Sequence, residues 1–171
     1  NAITENYIYQ NGTLVEIMQD GQHSIWKLLS EDAFGHPTAV STGSLNRTYS
    51  YDDYGNLLTQ AATYGNGDVQ KITNTYSNNT ADWLIGLLTR SVSVSTVNSS
   101  SQTNTVDYSY YSTTGLLHTQ TVEPNQTAYK SVVTYTYDEY GNVATKTKTV
   151  GNTSRVESYK YVNGRFVDTH T

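Results

Sequence analysis

One motif occurs twice in nearly identical form, and it limits this chain to a fold built from β-hairpins. Residues 48–60 and 134–146 each contain Tyr-x-Tyr-Asp-x-Tyr-Gly-Asn followed by an apolar residue. Alternating tyrosines place two rings on one face of a strand. The Asp side chain bonds the backbone two residues on, and the Gly supplies the positive φ of a tight connection. The motif therefore predicts a strand, a turn and a returning strand, with structural roles for these residues: Tyr49, Tyr51, Asp52, Gly55, Tyr135, Tyr137, Asp138 and Gly141.

Weaker copies of the motif recur along the whole chain. A glycine ends each motif-like turn, and these glycines are Gly12, Gly35, Gly55, Gly86, Gly115, Gly141 and Gly164. A second set of turn-forming clusters alternates with them. The pattern predicts an all-β meander of about seven hairpins. The predicted strands are 3–9, 14–18, 23–29, 38–41, 47–51, 57–63, 69–76, 87–96, 105–111, 116–122, 127–137, 143–149, 155–161 and 166–170.

Two segments leave an alternative to a plain hairpin. Residues 14–29 are rich in apolar side chains and are compatible with a short helix, but Asp20 and Gly21 in the middle favour a hairpin. Residues 81–88 contain Trp83 and form the longest predicted turn region. We expect this region to be a loop tucked onto the sheet and packed by its own side chains; the alternative is a tryptophan that stacks on a ligand.

The number of strands constrains the sheet. Open sheets seldom exceed about ten strands without curling or splitting, because their twist accumulates. We therefore expect a curved or spiralling antiparallel ribbon whose apolar face is covered by its own next turn or by an adjacent part of a longer chain. Residues 1–171 are expected to form a single hairpin ribbon. Because the sequence starts at Asn1 without an initiator Met, it is expected to be a fragment of a larger protein.

Composition argues against several classes of partner. The chain has no Cys, which excludes disulfides and Cys-ligated metals and fits a protein secreted by a bacterium. No apolar run approaches the roughly 18 residues of a membrane helix. The net charge of −5 offers no basic stripe for phosphates. We therefore expect neither a nucleic-acid partner nor a membrane span, whereas an uncovered apolar face and two sheet edges predict self-association.

The two clear copies resemble the Tyr-Asp repeat of the RHS/YD-repeat family, whose consensus is Tyr-Asp-x-x-Gly-Arg/Asn-Leu. Residues 51–57 and 137–143 carry the resemblance, and the segment Asp82 to Thr89 is similar to a Trp-containing variant found between such repeats in bacterial toxins. The resemblance implies a ribbon of hairpins that winds into a hollow shell around an effector domain, as in bacterial toxin complexes, Rhs toxins and teneurins. It also implies secretion or a cell-surface location.

The chain departs from this family in two respects. About seven hairpins are too few to close a shell, and neither Pro37 nor Pro124 lies in the Asp-Pro-x-Gly type signature that ends such shells. The resemblance therefore implies a structural segment whose partners are the remaining repeats and the effector domain of the parent protein. A second hypothesis is a module that binds cell-surface carbohydrate or a receptor through the aromatic face of the sheet, with Tyr108, Tyr110 and Trp83 as the candidate binding residues.

No residue pattern indicates catalysis, a cofactor or a metal. The adjacent acids at Asp52 and Asp138 lie at turns, and neighbours in a strand point to opposite faces, which disfavours a glycosidase pair. The four His lack metal-ligand spacing, and no Gly-x-Ser-x-Gly elbow occurs. Residues 65–68 lack the distal Glu of a calcium loop and predict a tight hairpin. We expect no enzymatic activity; a hydrolase whose site has no sequence signature is a third, weaker hypothesis.

Overall fold

The computed structural model describes residues 3–171, and this part of the chain is all-β, as predicted. Fourteen antiparallel strands follow one another in the sheet in sequence order. This part of the chain is therefore a meander of seven motif hairpins, and six turns of the second set connect them. The strands are β1 (Glu5–Gln10), β2 (Thr13–Gln19), β3 (His23–Glu31), β4 (Pro37–Thr42), β5 (Leu45–Tyr51), β6 (Leu57–Thr63), β7 (Val69–Asn79), β8 (Leu84–Val97), β9 (Ser100–Tyr110), β10 (Leu117–Val122), β11 (Ser131–Tyr137), β12 (Val143–Val150), β13 (Thr153–Val162) and β14 (Phe166–His170).

Every predicted strand is present, and the largest differences are at strand ends. The apolar segment 14–29 is the hairpin of β2 and β3 rather than a helix. Strand β11 begins at Ser131 and not at residue 127, because the backbone amides of Tyr129 and Lys130 both bond the carbonyl of Gln126 in a turn. Strands β7 and β8 reach further than predicted and leave only residues 80–83 between them.

The chain divides into two compact units, and the division runs through strands β7, β8 and β9. One unit contains residues up to Thr73 together with Ser93–Thr103, and the other contains Asn74–Val92 and Asn104–Thr171. Within the first unit, β4, β5 and β6 pair in register, for example Ala39 with Thr48. Within the second, β10 to β13 pair in the same antiparallel manner.

The described residues bury few side chains completely. Val40 and Ala62, at 5% and 4% exposure, are the buried hydrophobic residues, and most strand residues are half-buried. Most strand residues of each unit therefore keep part of their surface exposed.

Candidate functional site

The Asp of each clear motif copy organises its turn through backbone and side-chain bonds. Asp52 Oδ1 accepts the amides of Tyr54 at 3.0 Å and Asn56 at 2.8 Å, and its Oδ2 accepts the Asn56 side-chain amide at 2.9 Å. Asp138 makes the same three bonds, to Tyr140 and Asn142, at 3.0, 2.8 and 3.0 Å. This confirms the predicted bond from the Asp to the backbone two residues on.

A third copy of this turn lies at Asp32, where the sequence match is weak. Asp32 Oδ1 accepts the amides of Phe34 at 2.8 Å and His36 at 2.9 Å. The His36 ring, in the position of the motif Asn, bonds Asp32 Oδ2 through Nδ1 at 2.9 Å. An imidazole nitrogen replaces the side-chain amide of the motif Asn at this turn. The residue types therefore do not identify the turn in the sequence, whereas the three-residue spacing from Asp32 to Gly35 does.

The motif glycines serve the turns in two ways. Gly55 and Gly141 have φ of 81° and 83°, as predicted, and this region disfavours side chains. Some of these glycines also accommodate a side chain from the preceding motif turn. A Cβ on Gly164 would lie 2.7 Å from Cγ of Tyr140, and one on Gly115 would lie 2.8 Å from Cδ2 of Leu84. The side chains of Tyr140 and Leu84 therefore pack directly against the backbone of these two glycines, where a Cβ would collide with them.

A tyrosine next to the motif turn joins each of several hairpins to the one before it. The Tyr137 hydroxyl donates to the carbonyl of Leu117 at 2.7 Å. The acceptor is always the residue two positions after the glycine of the preceding motif turn. We call this recurring bond the tyrosine clamp, and it is formed by Tyr51 to Pro37 at 3.0 Å, Tyr110 to Leu88 at 2.8 Å, Tyr137 to Leu117, and Tyr161 to Val143 at 3.1 Å.

Partial burial accompanies the clamp. It raises the pKa of the Tyr51, Tyr110 and Tyr137 hydroxyls above the ordinary tyrosine value. Each hydroxyl is thus protonated at neutral pH and available as a donor. The carboxyl of Asp138 changes in the opposite sense: the Asn142 side-chain amide and nearby backbone amides lower its pKa. Both shifts favour the protonation state that the hydrogen bonds require.

Within a hairpin, a pair of hydroxyl side chains faces across the strands near the turn. Ser50 bonds Thr59 and Thr136 bonds Thr145, each at 2.6 Å between hydroxyl oxygens. Ser30 with Thr38 and Ser109 with Thr119 repeat this contact at 2.6 Å. Cross-strand hydroxyl pairs stabilise antiparallel sheets, so the abundance of Ser and Thr has a structural use here.

The remaining predicted tyrosines are half-buried on the strands. Tyr49 pairs with Gln60 and Tyr135 with Lys146, and neither hydroxyl forms a hydrogen bond with another of the residues 3–171. Tyr108 and Tyr110 line a groove of about 370 Å³ in the second unit. The other lining residues are Ser77, Asn79, Leu84, Leu87, Thr89, Ser109, Tyr111 and Ser112. The groove combines aromatic rings with uncharged hydroxyl and amide groups.

Trp83 does not join that groove, and the prediction that its loop is packed by its own side chains is wrong. Its side chain is 86% exposed, and its φ is 55°. Asn79 forms the short turn by accepting the amides of Ala81 at 3.1 Å and Asp82 at 3.3 Å. Trp83 thus follows this turn in the left-handed region, and its side chain is exposed to solvent. The structure therefore separates Trp83 from the tyrosines with which it was grouped.

The other candidate chemistry of the sequence remains dispersed. Asp53 and Glu139 are exposed, while their neighbours Asp52 and Asp138 are held inside turns. Residues 65–68 form the predicted tight hairpin, in which the amide of Tyr64 bonds the carbonyl of Asp68 at 3.0 Å. Among residues 3–171, no three His, Asp or Glu side chains are grouped as metal ligands. The same residues include no helix of the length and apolarity needed to cross a membrane.

Sequence reasoning missed the acceptors of the clamp and one of its donors. Tyr161 lies beside Gly164 in one of the weaker copies of the motif, yet it donates to Val143 in the same way as the tyrosines of the clear copies. The acceptors are backbone carbonyls, which no residue type identifies. The available signal was positional: each acceptor follows a motif glycine by two residues.

Comparison with known proteins adds no assignment. No family model matches the chain, and no curated protein matches it. A solved structure, described as a porin-like protein from Bacteroides uniformis ATCC 8492, aligns with 99% of this chain and 87% of its own length, at 13% identity and a TM-score of 0.32. A similarity at this level supports no conclusion about this chain.

Proposed function

We propose that this chain is a structural, non-enzymatic segment of a large secreted or surface protein of the bacterial toxin type, in which RHS/YD-like hairpins form part of a shell that encloses or supports an effector domain. The observation that carries the proposal is the tyrosine clamp. Tyr51, Tyr110, Tyr137 and Tyr161 each use the hydroxyl to join one hairpin to the preceding one. The most distinctive side chains of the motif thus serve the continuity of the ribbon.

The polar atoms of the motif support the same conclusion. Both oxygens of Asp138 are occupied by the amides of its own turn, and the Thr136 hydroxyl by that of Thr145. A catalytic group needs a polar atom directed at a substrate, whereas these atoms are directed at the ribbon. The limited burial of apolar side chains further supports a segment that packs against other material, namely further repeats and an effector domain.

The test is to isolate the natural protein with an antibody raised against these 171 residues and to map it by mass spectrometry after limited proteolysis. We expect a polypeptide much larger than 19.0 kDa with further Tyr-Asp-x-x-Gly repeats on at least one side. We also expect a distinct domain that proteases reach only after denaturation. A mature protein whose flanking sequence carries adhesion domains and no repeats would contradict the proposal.

A second candidate function is the binding of a cell-surface carbohydrate, and the groove at Tyr108 and Tyr110 favours it. Sugar rings stack on aromatic faces while hydroxyl and amide groups bond their hydroxyls, and this groove contains both. Binding of the chain to a glycan array, compared with the Tyr108→Ala variant, tests this candidate. Tyr135→Ala is the matched control, because Tyr135 precedes the clamp residue Tyr137 by two positions, as Tyr108 precedes Tyr110. Equal binding by both variants would exclude the groove.

A further inference from the structure

Strand β1 contains a tyrosine, Tyr9, at the position of a clamp donor, but among residues 3–171 no strand lies before it to supply the acceptor. Tyr9 precedes Gly12 by three residues, and Tyr161 precedes Gly164 by the same number. Tyr161 bonds the strand before it, but Tyr9 is 61% exposed and its hydroxyl has no hydrogen-bond partner among the described residues. Strand β1 pairs only with β2 within residues 3–171, and all six of its residues are exposed.

The last strand offers the matching acceptor. Every clamp acceptor lies two residues after a motif glycine, and in β14 this position is Phe166, two residues after Gly164. Strand β14 pairs only with β13 among the described residues, and all five of its residues are exposed. Phe166 itself is 72% exposed. One edge of the chain therefore carries a clamp donor, and the other carries the corresponding acceptor position.

The clamp also implies a strand register. When the pairing of β10 with β11 is extended by two residues, Leu117 lies opposite Thr136, the residue just before the donor Tyr137. The same extension places Val143 opposite the residue before Tyr161 and Pro37 opposite the residue before Tyr51. Applied to Tyr9, this rule places Ile8 opposite Phe166. Tyr7 then lies opposite Val167, and Asn6 lies opposite Asp168.

This register suits two copies of the same chain. It brings together Tyr7, Ile8, Phe166 and Val167, all of which are exposed hydrophobic residues in the single chain. Apolar and aromatic cross-strand pairs stabilise antiparallel sheets, while like charges placed opposite each other destabilise them. The register sets no two like charges opposite each other between residues 5–9 and 165–169.

We propose that the outer edge of β14 in one copy binds β1 of a second copy, in antiparallel register with Ile8 opposite Phe166 and with the Tyr9 hydroxyl on the Phe166 carbonyl. The result is a head-to-tail assembly in which the hairpin repeat continues across the junction. The proposed function concerns a longer protein, whereas this inference concerns what the two sheet edges of the 171-residue chain bind when it stands alone, so its test needs only the chain itself.

Charge substitutions at Asn6 test the register. The assembly state is measured by sedimentation velocity over a concentration series. Asn6→Lys places a cation opposite Asp168 and is expected to strengthen association about two- to fivefold, whereas Asn6→Asp is expected to weaken it by a similar factor. Asp168→Lys should restore association to Asn6→Asp. A chain that remains monomeric, or variants that associate equally, would overturn the proposal.

The clamp itself is tested by removing one hydroxyl. Tyr9→Phe is expected to weaken association about three- to tenfold, because a single intermolecular hydrogen bond is lost. Tyr7→Phe is the matched control, since the Tyr7 hydroxyl bonds Glu5 on the same strand at 2.7 Å. An equal effect of both variants would show that the Tyr9 hydroxyl has no special role at the junction and would overturn the clamp.

Cross-linking gives an independent readout, because the chain contains no Cys. A mixture of Asn6→Cys and Asp168→Cys chains should form an intermolecular disulfide on mild oxidation, as directly opposed residues in an antiparallel pair lie within disulfide range. A mixture of Asn6→Cys with Val167→Cys is the control, because that residue lies one position away and points to the opposite face. Equal cross-linking of both mixtures would overturn the register.

Discussion

The hydroxyl of Tyr137 lies 2.7 Å from the carbonyl oxygen of Leu117, a residue 20 positions earlier on the preceding hairpin. This bond differs from the main-chain ladder because it depends on one side-chain atom at a defined distance from a turn. Its repetition at Tyr51, Tyr110 and Tyr161 makes it a property of the repeat and not of one site. The contribution of this hydrogen bond to the free energy of unfolding is therefore tested first.

Replacement of Tyr137 by Phe removes only the clamp hydroxyl. We expect Tyr137→Phe to lower the free energy of unfolding by about 1 kcal/mol, because the half-buried carbonyl of Leu117 loses its donor. Urea denaturation measures this change. Tyr135→Phe, on the same strand and with a hydroxyl that bonds none of the residues 3–171, should change the free energy of unfolding by less than about 0.5 kcal/mol. Equal losses would mean that the bond from Tyr137 to Leu117 contributes no more to stability than a hydroxyl without that bond.

Replacement of Gly164 by Ala tests the packing between turns. The added Cβ would lie 2.7 Å from the Tyr140 ring at a φ of 65°, so we expect a loss of more than about 2 kcal/mol in the free energy of unfolding. Gly12→Ala is the matched control. Gly12 has a φ of 84° with open space around it, so this substitution should lower the free energy of unfolding by only about 1 kcal/mol, through the strained backbone conformation alone. In a Tyr140→Ala background, the two glycine substitutions should become equally costly; a persistent difference would contradict the contact.

The pH dependence of stability should reflect the Asp138 turn. Folding lowers the pKa of this carboxyl through the Asn142 amide, so its contribution to stability is complete above the ordinary Asp pKa of about 3.9 and is lost as the pH falls through the lower folded pKa. We expect Asp138→Asn to be less stable than the parent at neutral pH, with a difference that narrows in acid. Denaturation at a series of pH values measures it. Glu139→Gln, at an exposed position outside the hydrogen bonds of the turn, is the matched control for the removal of one carboxylate.

Trp83 offers a substitution that should stabilise the chain. Its φ of 55° is unfavourable for a large side chain, and the ring is 86% exposed, so little burial is lost on its removal. We expect Trp83→Gly to raise the free energy of unfolding by about 0.5–1 kcal/mol. Trp26→Gly, at a half-buried position in β3, should lower it. A destabilised Trp83→Gly variant would show that the ring contacts the protein.

The alternation of turn signals was sufficient to predict the order and number of the strands. Turn residues act locally: Asp138 and Gly141 determine their own turn through bonds and φ angles within five residues, and the twofold period of a strand is also local. Strand ends were less predictable. The turn that ends before Ser131 depends on how the amides of Tyr129 and Lys130 are satisfied, and no residue in 127–130 is a strong breaker.

The sequence by itself determined that the chain is a series of hairpins, that Asp and Gly build the turns, and that the repeat extends along the chain. The tertiary structure decided which hairpins are joined by which atoms. The Leu117 carbonyl becomes an acceptor because the register of β10 and β11 brings Tyr137 beside it. The positive φ of Gly164 already disfavours a side chain, and the contact with the Tyr140 ring adds a second reason that only the tertiary structure shows. A carbonyl acceptor and the space over a glycine are not specified by any residue type, so these contacts can be identified only once the pairing of the strands is known.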